Sequence, residues 1–321
     1  MAYKCHPLHG VDPMYSRTHK WGFECSLFTA GQYKRIYDTT MFSSYAYPDC
    51  PDDIRYDNVV RHMIMFFIFD DHLETPYGDI GLGVAEADTL MGQINDLFDK
   101  LLGKRHVSAR DWKPYMLAAL ALYEDTIAEF NDEQKSRFVR IWKEWTDAMG
   151  VQCRNVTQQT QYDSVEQFYK VRDDVIAAKC LYVLLEYAHN LYVPEAEWTN
   201  PRFQLYLKHS TRAVVCANDL YSLDKELMDC GGRVERVFNG VAILSRVASI
   251  PLDEAIKRVA AMMKEAEEGI LELTEEIAGA EWASADTKEF VKRGQYIVSG
   301  NWYVSTILDR YHKFLEPHMF D

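Results

Sequence analysis

Several things are scarce in this 321-residue chain, and each absence narrows its class. No uninterrupted apolar run approaches the roughly 20 residues needed to cross a bilayer as a helix. The opening residues Met1-Ala2-Tyr3-Lys4-Cys5-His6 carry no apolar secretory core, so a cytoplasmic protein without a membrane partner is expected. The seven cysteines are odd in number and never spaced Cys-x-x-Cys, which argues against a disulfide framework and for reduced thiols. Cys180 and Cys216 fall in apolar helical stretches, where a thiol packs as a small hydrophobe. Basic residues are outnumbered, 35 Lys and Arg against 49 Asp and Glu, for a net charge of -14. That balance excludes a broad polyanion-binding face, and nucleic acid is not an expected partner.

The chain also lacks a Pro/Gly/Ser-rich linker, an internal repeat, a low-complexity tract and runs of β-type alternation. What remains is helical periodicity, interrupted by scattered prolines. It predicts an all-α fold: an irregular arm over 1–20, suited to closing over a pocket, then one domain over 21–321. Helices are expected over 30–42, 55–74, 87–103, 109–128, 131–149, 163–193, 201–229, 234–247, 252–276 and 284–315.

The most informative segment is Asn218-Asp219-Leu220-Tyr221-Ser222-Leu223-Asp224-Lys225-Glu226. At about 100° per residue, Ser222 lies about 40° and Glu226 about 80° around the helix from Asn218, and Lys225 returns to within about 20°. Asp219 points elsewhere. Asn, Ser and Glu supply hard oxygens of low total charge, which suits Mg²⁺ that keeps water and substrate phosphate oxygens among its ligands. Lys225 would meet phosphate.

A second acidic segment, Asp70-Asp71-His72-Leu73-Glu74, follows the apolar run 63–69. On one helix Asp70 and Glu74 share a face, continued toward the N-terminus by Met63, Phe66 and Phe67. Such a cluster is equally common as a solvated helix end. Phe168 and Tyr169 stand about one turn before Arg172; Tyr303, next to Trp302, about two turns before Arg310; and Val214 and Val215 about one turn before Asn218. Four such helices would enclose an apolar cavity capped by ionic groups, although aromatics at this spacing are also ordinary core. The segments 75–79 and 229–233 follow the two acidic segments and suit either mobile lids or plain helix ends, with Gly231-Gly232 compatible with both.

With these residues in view, the chain resembles the microbial class I terpene synthases of single α-domain type. The family's aspartate-rich motif matches Asp70, Asp71 and Glu74, and its second metal motif matches Asn218, Ser222 and Glu226. A diphosphate-sensing arginine is matched by Arg172, 46 residues before the second motif, and the late Arg-Tyr pair by Arg310-Tyr311. The family often breaks the helix after its sensor arginine at a glycine; here Asp173-Asp174-Val175-Ile176-Ala177-Ala178 contains none, so a break around 175–178 stays open and the residue that would present the carbonyl is not assigned.

The resemblance implies a helical bundle with a central apolar cavity. It further implies three Mg²⁺ ions, with Mn²⁺ as an alternative: one held by Asn218, Ser222 and Glu226, two mainly through Asp70, with Asp71 and Glu74 acting more indirectly. Arg172, Lys225, Arg310 and Tyr311 would hold diphosphate oxygens, and Phe66, Phe67, Phe168, Tyr169, Trp302 and Tyr303 would line the pocket. The implied reaction is ionisation of a linear isoprenyl diphosphate, with farnesyl diphosphate as first expectation and geranyl or geranylgeranyl diphosphate as alternatives. Cyclisation or water capture of the cation would follow. A homodimer is compatible with the resemblance. The competing readings are a chain-elongating prenyltransferase, which normally carries a second aspartate-rich motif, and an acidic helical interaction protein.

Overall fold

The computed structural model describes residues 4–9, 12–25, 27, 33–73, 84–104, 108–110, 112–158, 160–308 and 311. Among them the secondary structure is helical: α1 (Asp12–Glu24), α2 (Tyr33–Ala46), α3 (Asp53–Leu73), α4 (Val84–Leu101), α5 (Pro114–Ala128), α6 (Asp132–Thr157), α7 (Val165–Val175), α8 (Ala178–His189), α9 (Glu195–Trp198), α10 (Pro201–Asp229), α11 (Gly240–Ala248), α12 (Leu252–Gly279) and α13 (Ala285–Ile307). None of the described helices is long and apolar enough to cross a membrane.

The architecture is organised around α8. Its sequence Ala-Lys-Cys-Leu-Tyr-Val-Leu-Leu-Glu-Tyr-Ala-His is apolar on nearly every side, the pattern of a helix buried all round. It packs against α3, α6, α10 and α13, and Leu184, Leu185 and Val183 have no exposed surface. Aromatic rings fill the space between α3, α5 and α6: Trp142 stacks on Phe138 with centroids 4.0 Å apart, and Phe66 meets Trp145 edge-on at 5.0 Å. Each such pair adds about 0.5–1.5 kcal/mol beyond area burial.

Chain direction then gathers the motifs at one end. Cys50 Sγ donates to Ala188 O near the C-terminus of α8, so α3 begins there. Further along α3, Phe66 reaches Trp145, whose Nε1 donates to Val175 O, 3.0 Å away, just before α8 begins. Asp70 stands one turn beyond Phe66. α10 likewise starts beside Trp198 and Phe290 and delivers Asn218 to Arg172. The chain beyond α13 brings Tyr311 to Asn218.

Local signals explain most boundaries. Pro201 at the first turn and the Asn200 side chain, which accepts from Arg202 N, open α10; Gly231 and Gly232 (φ 63° and 75°) close it, with Gly232 N donating to Leu227 O at 2.7 Å. Segment 229–233 is therefore a helix-terminating turn. α6 opens on a reciprocal capping box between Asn131 and Gln134.

Four expectations need correction. Residues 12–24 are helical, and the irregular segment 4–9 packs where α3 begins, with His6 stacked on Tyr56 at 3.7 Å and its Nε2 3.1 Å from Cys50 O. His9 of the same segment lies 6.1 Å from the Tyr45 ring. The helix expected over 234–247 starts only at Gly240, capped by Asn239, after one 3₁₀ turn. The helix expected over 284–315 breaks at Leu308, after α13 ends at Ile307; Tyr311 is again helical, and 309–310 and 312–315 lie outside the described residues. Finally, 163–193 is not one helix: Ala177 adopts φ 59°, separating α7 from α8. Alanine carries the smallest side chain that a left-handed turn can accept in place of glycine, at a cost on the order of 1–2 kcal/mol.

Away from that end, Arg137 and Glu186 form a fully buried ion pair at 2.7 Å. Arg137 also donates to Val193 O and Glu195 and lies 4.2 Å over the Trp198 ring. Removing one partner strands a buried charge. Arg137→Ala should lower the unfolding free energy by about 3–5 kcal/mol, whereas Lys264→Ala, which breaks an exposed pair with Glu268, should cost under about 1 kcal/mol. Urea titrations of the two variants check the contrast.

Candidate active site

The oxygen stripe lies on α10, facing the N-terminus of α11. Asn218 is half-buried, Ser222 is buried at 5% exposure and Glu226 is half-buried. Glu226 Oε2 is buried without a hydrogen-bond partner among the described residues. An unpartnered carboxylate oxygen next to a buried hydroxyl is what a hard-cation site offers. Burial pushes the Glu226 carboxyl up to about 7, against the opposing pull of the Arg172 charge.

Arg172 reaches this stripe from α7, across the 46 residues that separate it from Asn218. Its Nη2 donates to Asn218 Oδ1 at 2.7 Å, and its Nε and Nη2 donate to Asp219 Oδ1 at 3.1 and 3.0 Å. Asn218 Nδ2 donates in turn to the Tyr311 hydroxyl at 3.3 Å. Residues from α7, α10 and the segment after α13 therefore converge on one amide. Lys225 instead pairs with Asp229, 2.8 Å away on the same helix.

Asp219, which the helical stripe set aside, is central to the arrangement. It is fully buried; its Oδ1 takes the Arg172 guanidinium and its Oδ2 accepts from Gly240 N at 2.9 Å. Asn239 was also missed: its Nδ2 donates to Asp219 O at 2.8 Å and Ser222 Oγ at 3.4 Å, while its Oδ1 caps Val241 N at 2.9 Å. The only sequence signal for that pair was Asn-Gly at a helix start.

On the first acidic segment, Asp70 is half-buried at the end of α3. Asp71 is helical, while its side chain and all of Glu74 lie outside the described residues, as do Arg310 and the segment 75–79. Among the described residues no cluster of three or more His, Cys, Asp or Glu is arranged for a metal ion.

The aromatic set divides. Phe66 faces Trp142 and Trp145, and Phe67 is half-buried beside it. Trp302 is 36% exposed, and Tyr303 packs on Tyr45 at 4.7 Å. Phe168 and Tyr169 have no exposed surface: Phe168 is enclosed by Tyr162 and Phe238, and Tyr169 carries Arg212 over its ring at 4.1 Å. They pack α7 against α11 and leave no surface for a pocket wall. At the helix break, Val175 O is already taken by Trp145, while Ala177 O accepts from Cys180 N and Leu181 N.

Comparison with known proteins identifies the family. The model of the family described as "Terpene synthase family 2, C-terminal metal binding" matches residues 61–268, a span holding Asp70, Arg172 and the whole α10 stripe. The chain belongs to terpene synthase family 2. Over 286 residues it is 23% identical to ophiobolin F synthase of Aspergillus calidoustus, covering 87% of this chain and 36% of that protein. Over 275 residues it is 26% identical to phomopsene synthase of Phomopsis amygdali, covering 84% and 35%. This terpene synthase family member thus spans about a third of the length of those two relatives, but 77% of sesquiterpene synthase 6 of Postia placenta, at 23% identity. The fold is shared with the linalool/nerolidol synthase of Streptomyces clavuligerus (18% identity, 95% and 97% of the two chains, TM-score 0.79), also solved with 2-fluorogeranyl diphosphate (TM-score 0.80, 94% and 100%).

The Glu226 environment has a measurable consequence in metal-free protein. Its folded value of about 7 lies above the ordinary 4.5, so the folded state holds a proton that the unfolded chain has released. The associated stability is fully present below about 4.5 and is lost as pH rises through about 7, by up to about 3 kcal/mol. Glu226→Gln should flatten that fall, read from urea midpoints in EDTA across pH 4.5–8.

Proposed function

We propose that this chain is a Mg²⁺-dependent terpene synthase that ionises a linear isoprenyl diphosphate and then cyclises the carbocation or quenches it with water. The observation that carries the reading is the meeting of Arg172, Asn218 and Tyr311 beside the unpartnered Glu226 oxygen. An interaction protein gives no reason for that convergence. Divalent metal binding accords with the family description; three Mg²⁺ ions, with Mn²⁺ as substitute, complete the proposal. The helices from about residue 21 onward would serve as one catalytic α-domain.

Asn218, Ser222 and Glu226 would hold one ion and Asp70 the other two, with Asp71 and Glu74 as supporting acceptors. When bound, the ions supply Lewis acidity that stabilises the diphosphate leaving group. Arg172 is stored on Asn218 Oδ1, and a cation held by that oxygen would repel the guanidinium and favour its release. Diphosphate oxygens are the partner that draws Nη2 across, while Asp219 retains Nε. Lys225, Arg310 and Tyr311 would contribute further donors, so charge developing on the leaving oxygens meets fixed dipoles and cations.

Phe66, with Phe67, Trp302 and Tyr303, would present ring faces to the cation and exclude water. Farnesyl diphosphate is the proposed substrate, with geranyl and geranylgeranyl diphosphates as alternatives. The S. clavuligerus neighbour crystallised with a fluorinated geranyl diphosphate supports the isoprenyl diphosphate class. A chain-elongating prenyltransferase is disfavoured because the second site is the Asn-Ser-Glu stripe rather than a second aspartate-rich motif.

The test is incubation with geranyl, farnesyl or geranylgeranyl diphosphate, in Mg²⁺ or EDTA, followed by gas chromatography with mass detection. A Mg²⁺-dependent hydrocarbon or alcohol from one substrate is expected. Asn218→Ala and Asp70→Ala should each lower turnover by at least about 100-fold with helical content unchanged; full activity in either would remove the metal assignment. A longer prenyl diphosphate formed only with added isopentenyl diphosphate would move the reading to chain elongation.

A further inference from the structure

Asn239 and Gly240 lie outside both acidic segments, yet they hold the α10 stripe from behind. Asn239 has no exposed surface and uses both ends of its amide. Oδ1 caps α11 through Val241 N, and Nδ2 bridges Asp219 O and Ser222 Oγ, 20 and 17 residues away. Gly240 is pressed against the same place: a Cβ there would lie 2.5 Å from Tyr169 Oη and 2.6 Å from Asp219 Oδ2. The missing side chain lets Gly240 N approach Asp219 Oδ2 to 2.9 Å.

We infer that the Asn239-Gly240 step is the positioning element of the metal-binding stripe: Asn239 fixes Ser222, and Gly240 fixes Arg172 through Asp219. This rests on the metal reading above. The physical reason is orientation. A serine hydroxyl rotates freely about its Cβ–Oγ bond, and a bond to a buried amide limits it to one direction, leaving a lone pair for a cation. Asp219 needs the same restraint, because a carboxylate bound only by Arg172 would follow the guanidinium when it moves. With Oδ2 on the Gly240 N–H, Asp219 stays in place while Nη2 exchanges partners. Neither residue touches substrate in this assignment. Their effect passes through Ser222 and Arg172.

Replacement by serine separates the two jobs of Asn239. In Asn239→Ser the introduced hydroxyl would still cap Val241 N, since serine is a strong N-cap, but the side chain is too short to bridge Asp219 O and Ser222. The experiment is thermal unfolding of the full chain with Mg²⁺ titrated at fixed inorganic pyrophosphate. Asn239→Ser, which leaves Asp219 O without its donor, should fold and melt a few degrees below the wild type without ligand, yet need about tenfold more Mg²⁺ for half-maximal stabilisation. Asn239→Ala, lacking the cap too, should melt lower without ligand and show the same displaced Mg²⁺ midpoint. Gly240→Ala should raise the pyrophosphate midpoint at saturating Mg²⁺.

A wild-type Mg²⁺ midpoint in folded Asn239→Ser overturns the assignment alone. Should that variant fail to fold, Asn239→Thr, a second capping residue, is held to the same criterion. If the wild-type protein shows no Mg²⁺ and pyrophosphate stabilisation, the metal reading fails and the assignment falls with it.

Discussion

The grip of Arg172 on Asp219 is the constraint around which this end of the bundle is built. Both side chains are buried, and removing two charges from water costs several kcal/mol each unless the geometry is good and every remaining lone pair is used. Here two guanidinium N–H groups share Oδ1, a backbone N–H takes Oδ2, and the second Nη2 N–H of the guanidinium goes to Asn218. The pair therefore fixes three elements against one another, α7, α10 and α11. Any lateral slip of α11 would uncover a buried carboxylate oxygen.

That requirement propagates outward. α11 can approach α10 closely enough only because residue 240 has no side chain, and α7 can carry Arg172 to α10 only because it stops at Val175 rather than continuing straight into α8. The stop is made by Ala177 in a left-handed turn, with Trp145 Nε1 holding the carbonyl that the broken helix leaves at Val175. Trp145 is also edge-on to Phe66, one turn before Asp70. One indole thus ties the break after Arg172 to the helix that carries the first acidic segment. Core packing thus holds the helices of the two ionic segments in common.

The charge pattern has the same logic. A chain with net charge -14 has no general affinity for anions, but Arg172 is placed where surrounding apolar helices exclude water and its field is least screened. At 18% identity, what this chain shares with the solved S. clavuligerus neighbour is the helical frame.

The sequence by itself determined the helical class, most helix positions, and which oxygens lie on one stripe of α10, because period and spacing are local properties of a chain. The α10 bounds were legible from Pro201 and Gly231-Gly232, and Arg172 from its spacing to Asn218. Tertiary structure alone decided the rest. Asp219 looked misdirected because the stripe argument sees only one helix, whereas its partners come from α7 and α11. Asn239 and Gly240 were unremarkable as a helix start until α11 was docked on α10. Phe168 and Tyr169 suited a pocket wall by spacing, and packing against Tyr162, Phe238 and Arg212 buried them instead. A break within 175–178 was left open by the resemblance, but its place at Ala177 was hidden for the same reason: a non-glycine left-handed residue carries no mark in sequence, and Trp145, which holds the Val175 carbonyl, stands 32 positions away. Hydrogen bonds between distant segments depend on where helices meet, and periodicity within a helix carries no information about that.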